Sequence, residues 1–186
     1  MENYIFESSR LGFRNWRDSD ISTMREINAN KTVVAFFSET QDTENTLKFV
    51  SRMRDNFKQR GYCYFAVDRL DSHEFIGFIG LMDQDFLPSL GSFVDIGWRL
   101  NNVHWGCGFA TEGAKACLNF GFDNLRMESI YSVAPIANEK SIRVMEKICM
   151  SEVRNLEHPK LVDYPKLKDC VLYEIQHSSQ ICWRNN

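Results

Sequence analysis

The chain has 186 residues, of which 44% are hydrophobic and 14 are phenylalanine, so it can bury a substantial core in one domain over residues 1–186. Its formal net charge of −3 is mild and argues against general electrostatic binding to nucleic acid. No apolar run approaches membrane-spanning length and the first residues lack an apolar signal core, so we expect a cytoplasmic protein with no membrane partner.

The spacing of apolar residues and the turn residues between them predict the secondary structure along the chain. The predicted elements, in chain order, are a strand at Leu11–Trp16, a helix through Ile21, Met24 and Ile27 capped by Ser19 or Asp20, a helix at Glu44–Gln59, a hairpin of strands 62–69 and 74–83, a strand at Phe93–Leu100, a helix after the glycines that follow, a strand at Ser129–Ala134, a helix at Ser141–Cys149, and two closing strands between Val153 and Ile175. This order predicts an α/β sandwich with a mixed sheet.

Two irregular segments, residues 84–92 and 158–169, lie between these elements. Loops of this kind often shape a substrate opening, and they also serve as ordinary surface connections. The sequence leaves both interpretations open.

The cysteines and histidines are scattered along the chain without a CxxC pair or a regular spacing. This pattern supports neither a zinc site nor a disulfide framework. We therefore expect reduced thiols and no bound metal.

The most informative stretch runs from the strand Phe93–Leu100 through a glycine loop into a helix. Gly106 and Gly108 lack the side chains that would block a close approach to the main chain. The first turn of the helix has unpaired N–H groups and the positive end of the helix dipole, so it can hold phosphate without a lysine. We expect a diphosphate-bearing cofactor here, and a connection without a ligand is the alternative.

Two common phosphate-binding motifs do not fit this loop. Gly108 and Gly113 have the spacing of a P-loop, but Ala114 and Lys115 follow them and no Ser or Thr comes next. The dinucleotide pattern GxGxxG fails because Thr111 stands where the third glycine belongs, and the loop lies past the middle of the chain. A binder of nucleotide diphosphates on another α/β fold is therefore the weaker alternative.

The segment IGWRLNNVHWGCGFATEGAKACLNFGF resembles the coenzyme-A-binding core of the GNAT N-acetyltransferase superfamily. The phrase WGCGFATE is similar to the branch that includes the RimJ- and RimL-type ribosomal-protein N-acetyltransferases. Three more segments resemble that branch: SRLGFRNWRDSDI its opening strand and helix, Asn138–Ser141 its N-x-x-S entry into a helix, and EHPKLVDYPKLKDCVLYEI its closing strands. The resemblance covers nearly the whole chain and implies one GNAT domain over residues 1–186.

The resemblance also implies the fold and the activity. The sheet should be mixed and mostly antiparallel, with about six or seven strands, helices on both faces and a splayed central parallel strand pair. The protein should move an acetyl group from acetyl-CoA, its co-substrate, to a primary amine by direct transfer in a ternary complex, without a metal. The acceptor is a protein N-terminal α-amine or a small-molecule amine, and pairing as a homodimer is common in the family. A non-catalytic acyl-CoA-binding or regulatory module is the alternative.

Several positions depart from the family pattern. Val103 occupies the first position of the Q/R-x-x-G-x-G/A core, and Met145 stands where many relatives outside the branch carry a tyrosine. The family phrase Lys-x-Gly-Phe is replaced by residues 147–150. Tyr164 and Cys170 stand where close relatives carry histidines. Nothing titratable in the helix after Ser141 replaces the missing tyrosine.

The resemblance implies roles for two candidate catalytic residues. Asp95 is the candidate base, and a polar residue on the open side of a strand is the alternative. Ser141 is the candidate hydrogen-bond donor to the leaving sulfur, and helix capping is the alternative. The residues expected to bind the cofactor are Trp98, Arg99, Leu100, Trp105, Gly106, Cys107, Gly108, Phe109, Ala110, Thr111 and Asn138.

Four neighbouring residues carry lesser expectations. Gly97 fits either a bend or close approach in the strand or an ordinary strand position. Asn138 fits a helix cap as well as a pantetheine ligand. His104 should pack or lie near phosphate, and Glu112 should suit the helix dipole without a catalytic role.

Overall fold

The computed structural model describes residues 4–37 and 42–179. These residues form one mixed sheet of eight strands with the order β1-β2-β3-β4-β5-β6-β8-β7. The strands are β1 (Phe6–Glu7), β2 (Leu11–Arg14), β3 (Tyr64–Arg69), β4 (Phe75–Gln84), β5 (Phe93–Leu100), β6 (Ser129–Pro135), β7 (Ser151–Glu157) and β8 (Asp169–Gln176). The α-helices are α1 (Asp20–Ala29), α2 (Thr43–Arg60), α3 (Phe109–Asn119) and α4 (Glu139–Lys147).

The expected mixed, mostly antiparallel sheet is confirmed, because every described strand pair except β5–β6 is antiparallel. The sheet has one strand more than the six or seven expected. The short β1 lies outside every predicted strand, since two residues are too few to show an alternation. Within the described residues, no helix combines the length and the apolar character needed to cross a membrane.

Helices cover both faces of the sheet. A Cβ on Gly113 of α3 would collide with the Ile79 side chain, so glycine lets α3 approach β4 closely. On the other face, Phe49 of α2 packs against Phe78 of β4 with ring centroids 5.1 Å apart. Side chains alternate along a strand, so Phe78 and Ile79 mark the α2 face and the α3 face of the sheet.

A buried ion pair network joins the start of α1 to the sheet. Arg14 is 4% exposed, and its guanidinium donates to the carboxylates of Asp20 and Asp68 at 2.6–2.8 Å. Desolvation alone would lower the pKa of Arg14, but the two carboxylates raise it above its ordinary value. Ser19 occupies the N-cap position without a capping side-chain bond, whereas Asp20 accepts from the Arg17 N–H at 2.7 Å.

The cysteines in the described ranges are not all free. Cys63, Cys107, Cys117 and Cys170 carry free thiols, and Cys149 is disulfide-bonded. The expectation of wholly reduced thiols is therefore wrong at Cys149. Among residues 4–37 and 42–179, no group of histidine, cysteine and carboxylate side chains has an arrangement that could hold a metal ion.

Candidate active site

Strands β5 and β6 meet at one point and then separate. In the part of the chain that the structure describes, Asp95 opposite Tyr131 is their only register pair. The buried Ser132 hydroxyl donates to the Ile96 carbonyl at 3.0 Å, directly after that pair. On its other side β5 pairs with β4 along its whole length. The expected splayed parallel pair is confirmed, and its branching point at Asp95 and Tyr131 is the fork.

Asp95 is held at the fork by two donors. The Tyr64 hydroxyl lies 2.7 Å from Oδ1 and 2.9 Å from Oδ2 of the carboxylate. The Gln84 amide donates to Oδ1 at 3.2 Å. Desolvation raises the pKa of Asp95 to about 6, and the hydrogen bonds from Tyr64 and Gln84 oppose part of that rise. A half-buried carboxylate of this pKa can accept a proton near neutral pH.

Gly97 makes room for the tyrosine that reaches Asp95. A Cβ on Gly97 would lie 3.1 Å from two atoms of the Tyr64 ring, which is tighter than an ordinary contact. The expectation of a close approach at Gly97 is therefore confirmed, and the approaching group is an aromatic ring from β3. Tyr64 and Gln84 were not among the sequence candidates.

Beyond the fork, β5 carries three of the expected cofactor residues. Trp98 is half-buried on the α3 face, and its strand partner is Ile79. Arg99 points to the α1 and α2 face, where it donates to Asn28 Oδ1 at 2.7 Å. The Leu100 carbonyl accepts from the Trp105 indole at 2.9 Å. The last contact ties the strand end to the start of the glycine loop.

The glycine loop has the backbone shape that only glycine adopts easily. Gly106 and Gly108 have φ values of 78° and 82°. Gly108 is the N-cap of α3 and offers no capping side chain, so no cap of this kind occupies the N–H groups of the first turn. Cys107 between the glycines is exposed. The first turn begins with buried Phe109 and continues with the half-buried pair 110–111.

A contact from the start of the chain supports this loop. Glu112 accepts from the Ser8 hydroxyl at 2.7 Å, from the Arg10 main chain at 2.8 Å and from the Arg10 side chain at 2.6 Å. The Arg10 guanidinium also donates to the Cys107 carbonyl at 3.1 Å and lies 4.4 Å from the centre of the Phe109 ring. Desolvation would raise the pKa of Glu112, but the bonds from Ser8 and Arg10 lower it. Glu112 is thus an anchor for the loop, which its sequence position alone did not indicate.

The start of α4 lies against the glycine loop. Lys140 Nζ is 4.6 Å from the Trp105 ring, a cation–π contact. The Asn138 side chain accepts from the Ser141 N–H at 3.3 Å and is the N-cap of α4, so the capping interpretation of Asn138 is confirmed. Ser141 is the third residue of the helix and not its cap. Its half-buried hydroxyl forms no hydrogen bond with the described residues.

The two catalytic candidates lie on different sides of the fork. Asp95 belongs to the α1 and α2 face, whereas α4 with Ser141 packs against α3 and β6. Met145 of α4 is 1% exposed and brings no titratable group to the site. His104 is buried, packs on Phe109 and has Nε2 3.3 Å from a Glu74 carboxylate oxygen, in agreement with a packing role.

The two irregular loops contact each other beside the fork. Phe86 stacks on His158 with ring centroids 4.4 Å apart and contacts Phe93 at 5.3 Å. Phe93 in turn lies 5.7 Å from Tyr131. Burial and nearby Lys160 lower the pKa of His158, in that order of size. An aromatic series therefore connects both loops to the strand pair.

The sheet branches between two parallel strands, and a glycine loop and a helix N-terminus without a side-chain cap follow the first of them. This arrangement is typical of the acetyltransferase class of α/β proteins. The sequence pattern of the acetyltransferase (GNAT) domain matches residues 10–151, and the chain belongs to this family.

Relatives from Bacillus subtilis (strain 168) agree with this assignment. The uncharacterized protein YkkB is 29% identical over 144 residues, which make up 77% of this chain and 83% of YkkB. The uncharacterized N-acetyltransferase YoaA is 25% identical over 146 residues, which make up 77% of this chain and 81% of YoaA.

Solved structures share the fold. An acetyltransferase (GNAT family) from Bacillus anthracis has a TM-score of 0.77 at 22% identity, over 92% of this chain and 98% of that chain. The spermidine N-acetyltransferase from Vibrio cholerae, solved in complex with CoA and spermine, has a TM-score of 0.74 at 18% identity, over 93% of this chain and 99% of that chain. At these identities the likeness concerns the fold alone.

Proposed function

We propose that residues 1–186 form one acetyl-CoA-dependent N-acetyltransferase domain that transfers an acetyl group to a primary amine. The observation that carries this proposal is the fork, where a half-buried carboxylate stands at the point from which β5 and β6 separate. Transfer from a thioester to an amine requires that both reactants lie side by side and that a base accepts the amine proton. The opening between the strands and the carboxylate beside it are suited to these two tasks.

The glycine loop and the strand end supply the groups for acetyl-CoA. The N–H groups of residues 106–111 are suited to a pyrophosphate, since the loop places no side chain over them at the glycines. The β5 main chain at Trp98 has no register pair with β6 among the described residues, so we assign amide binding to this part of the strand, whereas the Leu100 carbonyl already accepts from the Trp105 indole. Asn138 and Lys140 border the same loop from α4.

Acetyl transfer needs two proton movements. As the amine nitrogen attacks the thioester carbonyl carbon and the C–S bond breaks, the amine proton passes to Asp95, directly or through water. The Ser141 hydroxyl serves as a hydrogen-bond donor to the departing sulfur, which then takes its proton from solvent. A free serine hydroxyl is a weak acid, so we assign it hydrogen bonding only.

For the acceptor we propose a protein N-terminal α-amine, as in the RimJ- and RimL-type branch. An α-amino group has a pKa of about 8, against about 10.4 for an alkyl amine, so a base of pKa about 6 removes its proton more easily. Two cationic side chains lie on this side of the sheet, Arg52 near Tyr64 and Arg99 beside Phe37. They favour an acceptor with one amine over a polyamine such as the spermine bound to the Vibrio cholerae neighbour.

Release of the coenzyme A thiol from acetyl-CoA tests the proposal. The panel contains short peptides with free N-termini, the same peptides with blocked N-termini, free amino acids and spermidine. We expect thiol release with free peptide N-termini and none with blocked ones. Saturable binding of acetyl-CoA without thiol release for any amine would instead support the non-catalytic acyl-CoA-binding module.

A further inference from the structure

We infer that Tyr64 is a positioning residue for proton transfer, which holds the Asp95 carboxylate in a single orientation at the fork. The inference rests on the proposed acetyl transfer and adds to it a residue from β3. It starts from the hydroxyl of Tyr64, which lies almost equally far from both oxygens of Asp95, at 2.7 Å and 2.9 Å.

The hydroxyl and the carboxylate belong to a small closed network. Gln84 donates from Nε2 to Asp95 Oδ1 at 3.2 Å and to the Tyr64 hydroxyl at 3.3 Å. Because a carboxylate has about four lone-pair positions, two donors fix its plane and leave room for the proton of a substrate. Rotation of Asp95 away from the fork would break both bonds.

Gly97 allows the tyrosine to reach this position. Tyr64 pairs with Gly80 across β3 and β4, and Gly80 pairs with Gly97 across β4 and β5. The Tyr64 ring extends to Gly97, where an added Cβ would lie 3.1 Å from two ring atoms, and it is stacked on Phe78 at a centroid distance of 5.2 Å. Gly80 instead makes room for the β3 main chain, because an added Cβ there would meet the Cys63 carbonyl. Glycine weakens a strand interior, so the glycine at position 97 is explained by the ring that crosses it on the way to Asp95.

The groups around the pair keep the phenol a donor. Desolvation raises the pKa of Tyr64 well above its ordinary value, and the charge of Asp95 raises it further, so the hydroxyl keeps its proton. Gln84 from β4 is neutral, Arg52 from α2 acts on the phenol, and Tyr131 from β6 is in register with Asp95 and bonded to Glu174. On β5 itself, Arg99 is held by Asn28 of α1. Tyr64 is thus the donor closest to the carboxylate in this set.

Tyr64→Phe tests the inference, because it removes the hydroxyl and keeps the stacked ring. Without this donor the charged form of Asp95 loses a partner, so its pKa should rise by about one unit. We expect kcat to fall about 10-fold at neutral pH, about twofold from the smaller charged fraction of Asp95 and the rest from its lost orientation, and the acidic limb of kcat/KM to move to higher pH by the same unit. The KM for acetyl-CoA should stay within about twofold.

Tyr62→Phe is the matched control. The Tyr62 hydroxyl donates to Asp83 Oδ1 at 2.6 Å, so the variant loses the same kind of bond in the same hairpin and leaves both donors to Asp95 in place. It should leave both kcat and the acidic limb unchanged. A general structural effect of losing a buried phenol would change both variants alike, which would overturn the inference.

A second measurement does not depend on turnover. Carbon-13 NMR of labelled aspartate carboxyls, with the Asp95 signal assigned by its loss in Asp95→Asn, gives the pKa of Asp95 directly. A rise in the pKa of Asp95 in Tyr64→Phe, absent in Tyr62→Phe, supports the coupling between Tyr64 and Asp95. This holds even if no amine proves to be a substrate, and in that case only the proposed function fails. An unchanged Asp95 titration in Tyr64→Phe overturns the positioning role whatever the activity.

Discussion

Asp95 and Tyr131 lie opposite each other at the one register position that the described residues show between β5 and β6. On its other edge, β5 is joined to β4 by a continuous ladder of hydrogen bonds. Beyond the bond from the Ser132 hydroxyl to the Ile96 carbonyl, β5 and β6 separate. The half-buried carboxylate is therefore placed at the point where the two strands separate. This position makes Asp95 the residue on which the predictions mainly depend.

Asp95→Asn should abolish most of the acetyl transfer. The asparagine has the same size and can still accept from Tyr64, but it cannot take a proton from the amine. We expect kcat to fall about 100-fold or more, since general bases contribute factors of this size. Thiol release measures kcat, and calorimetry with acetyl-CoA should show a dissociation constant within about twofold of the wild type. Full turnover in the variant would exclude Asp95 as the base.

The same substitution should stabilise the folded protein at alkaline pH. Burial raises the pKa of Asp95 from 3.8 to about 6, so the folded state binds this proton more tightly than the unfolded state. The contribution of Asp95 to the free energy of unfolding is then largest below a pH of about 4 and is lost as the pH rises through 6. Asp95→Asn does not titrate and should be more stable than the wild type by about 1–3 kcal/mol near pH 8. Urea unfolding at several pH values gives this difference, which should shrink toward pH 4; a constant difference would contradict the assignment.

Gly97→Ala should displace the Tyr64 ring. The added Cβ would lie 3.1–3.2 Å from three ring and hydroxyl atoms of Tyr64, so the ring must move by a few tenths of an ångström. We expect the variant to lose about 1 kcal/mol of stability and about 10-fold in kcat. In a Tyr64→Phe background the loss of stability should persist while the loss of kcat disappears, because no hydroxyl is left to displace. Independent effects on kcat in the double variant would argue against this coupling.

Periodicity in the sequence predicted the elements that carry the site. Strand Phe93–Leu100 is observed with the predicted bounds, because its alternation of apolar residues is strong. Helix α2 extends one residue beyond its predicted bounds at each end. Its ends are marked by the cap at Asp42 and by the left-handed Gly61 that follows it. Asp95 stays a candidate base, which its place on β5 and the family resemblance indicated. The two-residue β1 shows no period and lay outside every prediction.

The partners of the site residues could not be predicted in the same way. Tyr64 lies 31 positions before Asp95, and Arg10 lies 102 positions before Glu112, so only the folded sheet brings each pair together. A signal for the first pair does exist in the sequence. Once the hairpin register is drawn, Gly80 and Gly97 fall in register with Tyr64, and Gly97 leaves room for its ring on β5. No comparable pattern marks the second pair.

Glu112→Gln should weaken acetyl-CoA binding without slowing the chemical step. The Glu112 carboxylate accepts three hydrogen bonds from Ser8 and Arg10, and Arg10 in turn holds the Cys107 carbonyl of the glycine loop. The neutral amide would lose the charge-assisted bonds and release the loop from the shape that presents its N–H groups. We expect the dissociation constant for acetyl-CoA to rise about 10-fold, equivalent to about 1.4 kcal/mol, with kcat at saturation within about twofold.

Glu44→Gln is the matched control for this change. Glu44 also stands in the first turn of a helix, α2, but its ion-pair partner among the described residues is the exposed Lys48, at 2.7 Å. An exposed pair of this kind contributes little, and α2 carries no expected cofactor residue, so affinity for acetyl-CoA should stay unchanged. Calorimetry on both variants separates the loop anchor from a general effect of removing a helix-terminal charge. Equal affinities in Glu112→Gln and the wild type would mean that the glycine loop keeps its shape without Arg10, and the anchoring role would have to be abandoned.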